Sequence, residues 1–298
     1  IMHTDLVKQL QATRAKRCFD VASWVEKKAE MLNAYMRSSG LKACVVSVSG
    51  GVDSAVTMAL LAYAKKQQGS PIEKILGVAQ PIHSTESIWK RALLLDIFAP
   101  IIVVNQTEIH DKIVAAVDTA AEITGNKFST GQLKSYQRTP VGYYTAQLLT
   151  QQGFPCIVLG TGNYDEDGYL CYFCKAGDGI ADVQLIADLH KSEVFTVGHH
   201  LKVPGEILNA APSADLWDGQ TDEDELGISY DFVELFTEYL RLSAEEQEKI
   251  KSECSEEAWK EFEDSAKKAK DVHRRNSHKL DYPKNLNILP VLDASKLQ

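Results

Sequence analysis

Apolar positions in the first forty residues recur at helical spacing. Val21, Trp24, Val25, Lys28, Leu32, Tyr35 and Met36 share one face, which predicts a single amphipathic helix over 3–38 ending near Gly40. From there the period changes. Leu41–Val48 is a short, β-branched apolar run with the signature of a buried strand, and Ala55–Ala64 is rich in good helix formers. The alternation repeats. Strands are predicted at Ile75–Ala79, Ile101–Val104 and Cys156–Leu159, and helices at Thr85–Phe98, Glu108–Ile123 and Val141–Gln152. Pro140 suits the first position of that last helix, and Gly125–Gly131 is a predicted loop. Strands alternating with helices imply a parallel sheet covered on both faces, a three-layer α/β sandwich that binds ligands at the carboxyl ends of its strands.

Beyond Asp178 the pattern is short and ambiguous until a helix over Lys191–Leu201. Pro204–Asp224, rich in Pro, Asp and Gly, is the candidate for a mobile lid, and from Tyr230 the chain is again helical. The organisation expected is one unit over 1–298: an N-terminal helix (3–38), a nucleotide-binding α/β core (41–202), a mobile loop (203–227) and a C-terminal helical region (228–298).

Composition narrows the class. The 298 residues are 44% hydrophobic and 24% charged, ordinary values for a globular protein with a sizeable core. A net charge of −9 disfavours a dedicated nucleic-acid surface. Six cysteines at irregular spacing suit free thiols in a reducing compartment, and Cys171-x2-Cys174 has no second pair to complete a zinc site. The first thirty residues carry charges throughout, and the apolar run Ala55–Ala64 is too short to span a bilayer. A cytoplasmic protein with no membrane and no nucleic-acid partner is expected.

The chemistry is concentrated between the first strand and its helix, in Ser49-Gly50-Gly51-Val52-Asp53-Ser54. Two glycines let the backbone approach an anion, the first N–H groups of the helix point at it, and two serines add hydroxyl donors. The G-x-x-x-x-G-K-S/T loop of other nucleotide-binding proteins is absent from the chain. Asp53 suits the helix dipole but would repel a polyphosphate on the same N–H groups. A divalent cation between them removes the conflict, and Mg²⁺ is held in this way by carboxylates and phosphate oxygens.

The run SGGVDS resembles the SGGxDS loop of the N-type ATP pyrophosphatases, enzymes with the adenine nucleotide alpha hydrolase-like fold that cleave ATP between the α- and β-phosphates. The second half of the chain is similar to one branch of them, the NAD synthetases. Gly160-Thr161 followed by Glu166, then Lys175-Ala176-Gly177-Asp178-Gly179, Lys191, Pro212-Ser213-Ala214-Asp215-Leu216, Glu225-Leu226-Gly227 and Ser277-His278-Lys279-Leu280 match that family's elements in order and at similar spacing. The resemblance implies that Asp53 and Glu166 hold Mg²⁺. It implies that Ser47, Ser49, Gly50, Gly51, Ser54, Lys191 and Ser213 contact ATP, with Thr161 near its adenine or ribose. Arg138, Lys175, Asp178, Glu225, His278 and Lys279 would contact deamido-NAD⁺, and Asp178 is a candidate proton acceptor.

The activity so implied is ammonia-dependent, ATP-driven amidation of deamido-NAD⁺, a C–N ligation by a homodimer with the dinucleotide at the subunit interface. Ammonia is expected instead of glutamine because glutamine-dependent relatives carry an amidase domain before the synthetase, whereas about forty residues precede the first strand here. The chain departs from the family around Arg138, whose register is offset. Gln80 also stands where many members have Arg, and one residue is inserted between Glu166 and Lys175. These departures point to a divergent subgroup. The alternatives are a tRNA-modifying ATP pyrophosphatase and a non-catalytic nucleotide-binding module, the latter having no use for a shared cation at Asp53 and Glu166.

Overall fold

The computed structural model describes residues 2–210 and 222–281, together with 283, 286 and 288–290. Its centre is a five-stranded, all-parallel sheet built from β1 (Ala43–Ser47), β2 (Lys74–Ala79), β3 (Ile101–Val103), β4 (Cys156–Gly160) and β5 (Val183–Gln184), in the order β3-β2-β1-β4-β5. β1 is buried in the middle, and its side chains divide by the two-residue period of a strand. Cys44, Val46 and Val48 join one apolar cluster; Val45 joins another with Val78, Ala146 and Val158.

The N-terminal segment forms two helices, where the sequence predicts one. α1 (Thr4–Arg17) ends at Cys18, which takes a left-handed backbone with φ 47°, and α2 (Val21–Ser38) starts afresh where the Asp20 side chain accepts from the Ser23 N–H. The break matters because the two helices serve different cores. α2 lies with α3 (Val52–Lys66) on one face of the sheet, and Val25, Leu32 and Met36 pack into the main cluster. Leu6 and Leu10 of α1 instead join Phe232, Phe236 and Phe262 in a separate helical core.

After β2 come α4 (Glu86–Ala92), a 3₁₀ turn at Leu93–Ile97, β3 and α5 (Thr107–Ala121). α6 spans Lys127–Gln151, so the predicted loop 125–131 and the helix start at Pro140 are both corrected. The true start is an Asn126–Ser129 capping box. Pro140 sits inside the helix at an exposed position, where the Tyr136 carbonyl it leaves without a donor can bond to water. α6 covers the opposite face of β1 and β4 from α2 and α3.

The later elements are α7 (Lys191–His200), α8 (Gly205–Leu208), α9 (Asp222–Leu226), α10 (Tyr230–Leu240), α11 (Ala244–Ser252) and α12 (Glu256–Asn276). Short helices α8 and α9 therefore occupy parts of the segment expected to be loop, whose residues 211–221 lie outside the described ones. α1, α10 and α12 enclose the second core, so the helical additions at either end of the α/β unit pack on each other. Among the described residues, no helix is long and apolar enough to cross a membrane.

Candidate active site

The strand order reverses between β1 and β4: the chain proceeds to β2 and β3 on one side and to β5 on the other. Loops leaving the carboxyl ends of such a pair diverge and open a crevice. Here that crevice is a cleft of about 800 Å³, walled by Ser47 at the end of β1, by Ser49, Gly51, Asp53 and Ser54 beyond it, and by Thr161, Glu166 and Asp167 after β4.

The loop after β1 is held open by its own side chains. Ser49 Oγ accepts from the Gly51 N–H at 3.2 Å, and Ser54 Oγ accepts from the Ser49 N–H at 3.2 Å while donating to the Gly51 carbonyl at 3.1 Å. Gly50 has φ +87°, and a Cβ there would run into the Ile88 backbone carbonyl. Only glycine satisfies both conditions. α3 then begins at Val52 with Asp53 in its first turn.

The stretch after β4 is no surface turn, the reading it invites by itself. Tyr164–Leu170 forms a π-helical turn, a form that recurs at functional sites, with Asn163 and Asp165 fully buried. Asn163 caps that turn by accepting from the Glu166 N–H at 2.9 Å and donates to Asp53 Oδ1 at 2.9 Å. Asp165 accepts from the Lys191 N–H at 2.8 Å and pairs with His190 Nδ1 at 2.7 Å, which fixes the start of α7. Lys191 thus projects from a braced helix N-terminus. Its ammonium donates to Asp53 Oδ2 and to Glu166 Oε1, both at 2.6 Å.

Electrostatics follow from this crowding. Burial pushes Glu166 up; Lys191 pulls it down and Asp53 and Asp222 push it further, leaving it raised above the ordinary carboxylate value. Burial works against charge on Lys191, and Asp53 and Glu166 outweigh it, so its pKa is raised. Asp167 is raised well above the carboxylate range by burial and by Asp178, Glu166 and Asp53. One lysine does not neutralise this many acids. The two carboxylates already share a cation in the form of the lysine ammonium, and their hard oxygen donors suit Mg²⁺.

The remaining expected residues divide. Arg138, Asp178, Glu225 and Lys279 line the same cleft. Arg138 donates to the Gln80 carbonyl at 3.3 Å from inside α6. Asp178 accepts from Ser135 Oγ and from the Cys174 N–H, both at 2.9 Å, and Glu225 accepts from the Tyr172 hydroxyl at 2.6 Å. Lys279 donates to the carbonyls of Phe173 at 2.7 Å and Cys171 at 3.2 Å. Ser47 Oγ accepts from Gln80 Nε2 at 2.9 Å. Among the described residues, Gly50, Lys175 and His278 are not part of the cleft wall, and Lys175 donates to the carbonyls of His278 and Asp281. Ser213 lies outside the described residues.

Sequence reasoning missed Asn163, Asp165 and Asp167. A capping signal was present, an Asn directly before three acids in four residues, but it could not say that the cap would also grip Asp53.

Comparison with known proteins gives the family. The sequence model of a family described as NAD synthase matches residues 24–283. The chain is 36% identical over 228 residues to the NH(3)-dependent NAD(+) synthetase of Methanococcoides burtonii, spanning 74% of this chain and 80% of that one. It is 33% identical over 239 residues to the enzyme of that name from Alkaliphilus metalliredigens, spanning 78% and 92%. An NMN synthetase structure from Francisella tularensis superposes with a TM-score of 0.74 at 26% identity, over 91% of this chain and 100% of that one. An NH3-dependent NAD synthetase from Campylobacter jejuni gives 0.68 at 19% identity over 90% and 100%, a likeness of fold. Identity above one third across most of two chains, with the glycine loop and the distant Glu166 brought to one lysine, leaves a single assignment: the chain belongs to the NAD synthase family.

Proposed function

We propose that this chain makes NAD⁺ from deamido-NAD⁺, ATP and ammonia, a C–N ligation passing through an acyl-adenylate. The observation that carries the reading is the meeting of Asp53, Glu166 and Lys191 at the mouth of the glycine loop. A carboxylate resists attack by ammonia because its leaving group would be oxide. Adenylation supplies a better one: a nicotinate oxygen bonds to the α-phosphorus of ATP and pyrophosphate leaves. Ammonia then bonds to the carbonyl carbon, AMP leaves with the former carboxylate oxygen, and one proton is released.

The protein's part is positioning and charge neutralisation. The free N–H groups at the start of α3 and the hydroxyls of Ser49 and Ser54 would receive the phosphates, with Gly50 and Gly51 permitting the approach and Lys191 balancing their charge. Ser47 and Thr161 would bound the nucleoside, and Ser213 would complete the phosphate contacts. Asp53 and Glu166 would hold Mg²⁺, which when bound offsets phosphate charge as a Lewis acid. Arg138, Lys175, Asp178, Glu225, His278 and Lys279 are assigned to the dinucleotide, with Asp178 the acceptor for the ammonia proton.

The reading includes a homodimer. Val117, Ile123, Phe128, Tyr144 and Leu148 on and between α5 and α6 are exposed apolar side chains, a surface suited to a second copy. Sedimentation at micromolar concentration checks this, and a monomer there removes it.

A second reading is favoured by the structural likeness to the Francisella enzyme: the same chemistry on nicotinate mononucleotide. The deciding experiment measures pyrophosphate release with ATP, Mg²⁺ and ammonium, offering deamido-NAD⁺ or the mononucleotide in turn. A higher kcat/KM for the dinucleotide is expected; the reverse preference transfers the assignment to the mononucleotide. Release without either nucleotide carboxylate would sink both.

A further inference from the structure

Away from the cleft interior, the loop after β2 and the first turns of α5 bring His83, His110 and Asp111 together. Among the described residues this is the one group of three His, Cys, Asp or Glu side chains placed to share an ion, with ligand atoms within 4.8 Å of one another. His83 Nε2 lies 2.6 Å and His110 Nδ1 3.6 Å from Asp111 Oδ1.

The informative atom is His110 Nδ1. His110 is 4% exposed, and its Nε2 bonds to the Thr130 carbonyl at 3.1 Å. A carbonyl only accepts, so Nε2 carries a hydrogen, which leaves Nδ1 as the ring nitrogen free to offer a lone pair to a metal. That atom is buried with no hydrogen-bond partner, and it faces Asp111 and His83. A buried acceptor left unsatisfied costs about 1–3 kcal/mol. A metal ion resolves the debt, and a ligating imidazole whose second nitrogen donates to a backbone carbonyl is the usual arrangement of such sites.

We propose that His83 Nε2, His110 Nδ1 and an Asp111 oxygen form a binding site for a zinc-like transition-metal cation, separate from the carboxylate pair at Asp53 and Glu166. Two imidazoles and one carboxylate suit Zn²⁺ and exclude a preference for Mg²⁺ or Ca²⁺, which take oxygen ligands. Three protein ligands leave a fourth position for water. The ion would tie α5 to a loop whose Gln80, Pro81 and Ser84 wall the cleft, and Gln80 is already bonded to Gln106 beside α5 at 2.6 Å. It would act as a brace for the cleft wall. The proposal does not depend on the synthetase reading.

The test is calorimetric titration of Zn²⁺ into the full chain with Mg²⁺ saturating the carboxylate site. One Zn²⁺ per chain is expected, at micromolar affinity or tighter. His83→Ala and Asp111→Asn should each weaken it by about tenfold or more. Both residues are exposed, at 47% and 57% of their side chains, so these variants should keep the wild-type circular dichroism spectrum. His110→Ala should abolish binding, but its burial makes it the less secure variant. Co²⁺ in place of Zn²⁺ should give visible d–d bands without a thiolate charge-transfer band. Absence of Zn²⁺ uptake, uptake unchanged in either exposed variant, or a thiolate band would overturn the proposal.

Discussion

Asn163 donates to Asp53 Oδ1 at 2.9 Å from the far side of the switch point, so one buried amide joins the loop after β4 to the first turn of α3. Its oxygen caps the turn that carries Glu166, so the same side chain sets both acids. Asn163→Ala should lower kcat/KM by about 10–100-fold and raise the Mg²⁺ concentration needed for half-maximal rate. Asn163→Asp keeps the cap but sets a carboxylate against Asp53. It should be no more stable and no more active than the alanine variant, because the added acid is fully buried among others. Steady-state kinetics beside chemical denaturation separates the two effects.

Lys191→Met removes the cation between two buried acids. Leaving them unpaired should cost about 3–5 kcal/mol by urea denaturation, and Mg²⁺ should recover part of that loss. Activity should fall by a factor of about 10²–10³. A variant of wild-type stability without Mg²⁺ would contradict the picture of a crowded acidic site.

Gly50→Ala and Gly153→Ala form a matched pair. Both glycines have positive φ, +87° and +90°, but the space around Gly153 is open whereas a Cβ on Gly50 meets the Ile88 carbonyl. Gly153→Ala should cost only the left-handed backbone strain, about 1–2 kcal/mol. Gly50→Ala should cost more, and its KM for ATP should rise while that of Gly153→Ala stays put.

Acid should unlock the helical core through Glu234. Burial tends to raise its pKa, but hydrogen bonds from Arg14, Arg17 and Ser192 outweigh it and hold the group at about 2 against an ordinary 4.5. A depressed carboxylate stabilises the fold fully above its unfolded pKa and loses that contribution as pH falls through its folded one. The loss should run from about pH 4.5 to about pH 2. Allowing for the one-third exposure of Arg14, it amounts to roughly 2 kcal/mol. Glu234→Gln should be less stable at neutral pH and should show a flatter acid limb in thermal midpoints measured across that window.

The parallel core was legible because β1 through β4 are apolar runs between helical periods, and period alone separates them. β5 was not: Val183–Gln184 is two residues long and becomes a strand only because β4 offers it an edge. The break at Cys18 was hidden because α1 and α2 each carry helix formers, and only the existence of two cores explains why the chain turns there. Pro140 misled because its exposure within α6, which makes it tolerable, is a tertiary fact. At the site, the glycine loop announced itself locally. Lys191 and Glu166 needed the resemblance to be noticed, and Asn163 and Asp165 needed the fold, since each bonds to a residue from another element, as did Asp167, which lines the cleft.

The shared core of α1, α10 and α12 has a consequence for how this protein is made. Leu6 and Leu10 are translated well before the phenylalanines that shelter them, Phe232, Phe236 and Phe262. At about 5–20 residues per second, the nascent helix must wait on the order of tens of seconds with its greasy stripe uncovered. Until then its apolar stripe lacks every partner that buries it in the native fold, whereas α2 packs into the core of the sheet, most of which is already translated.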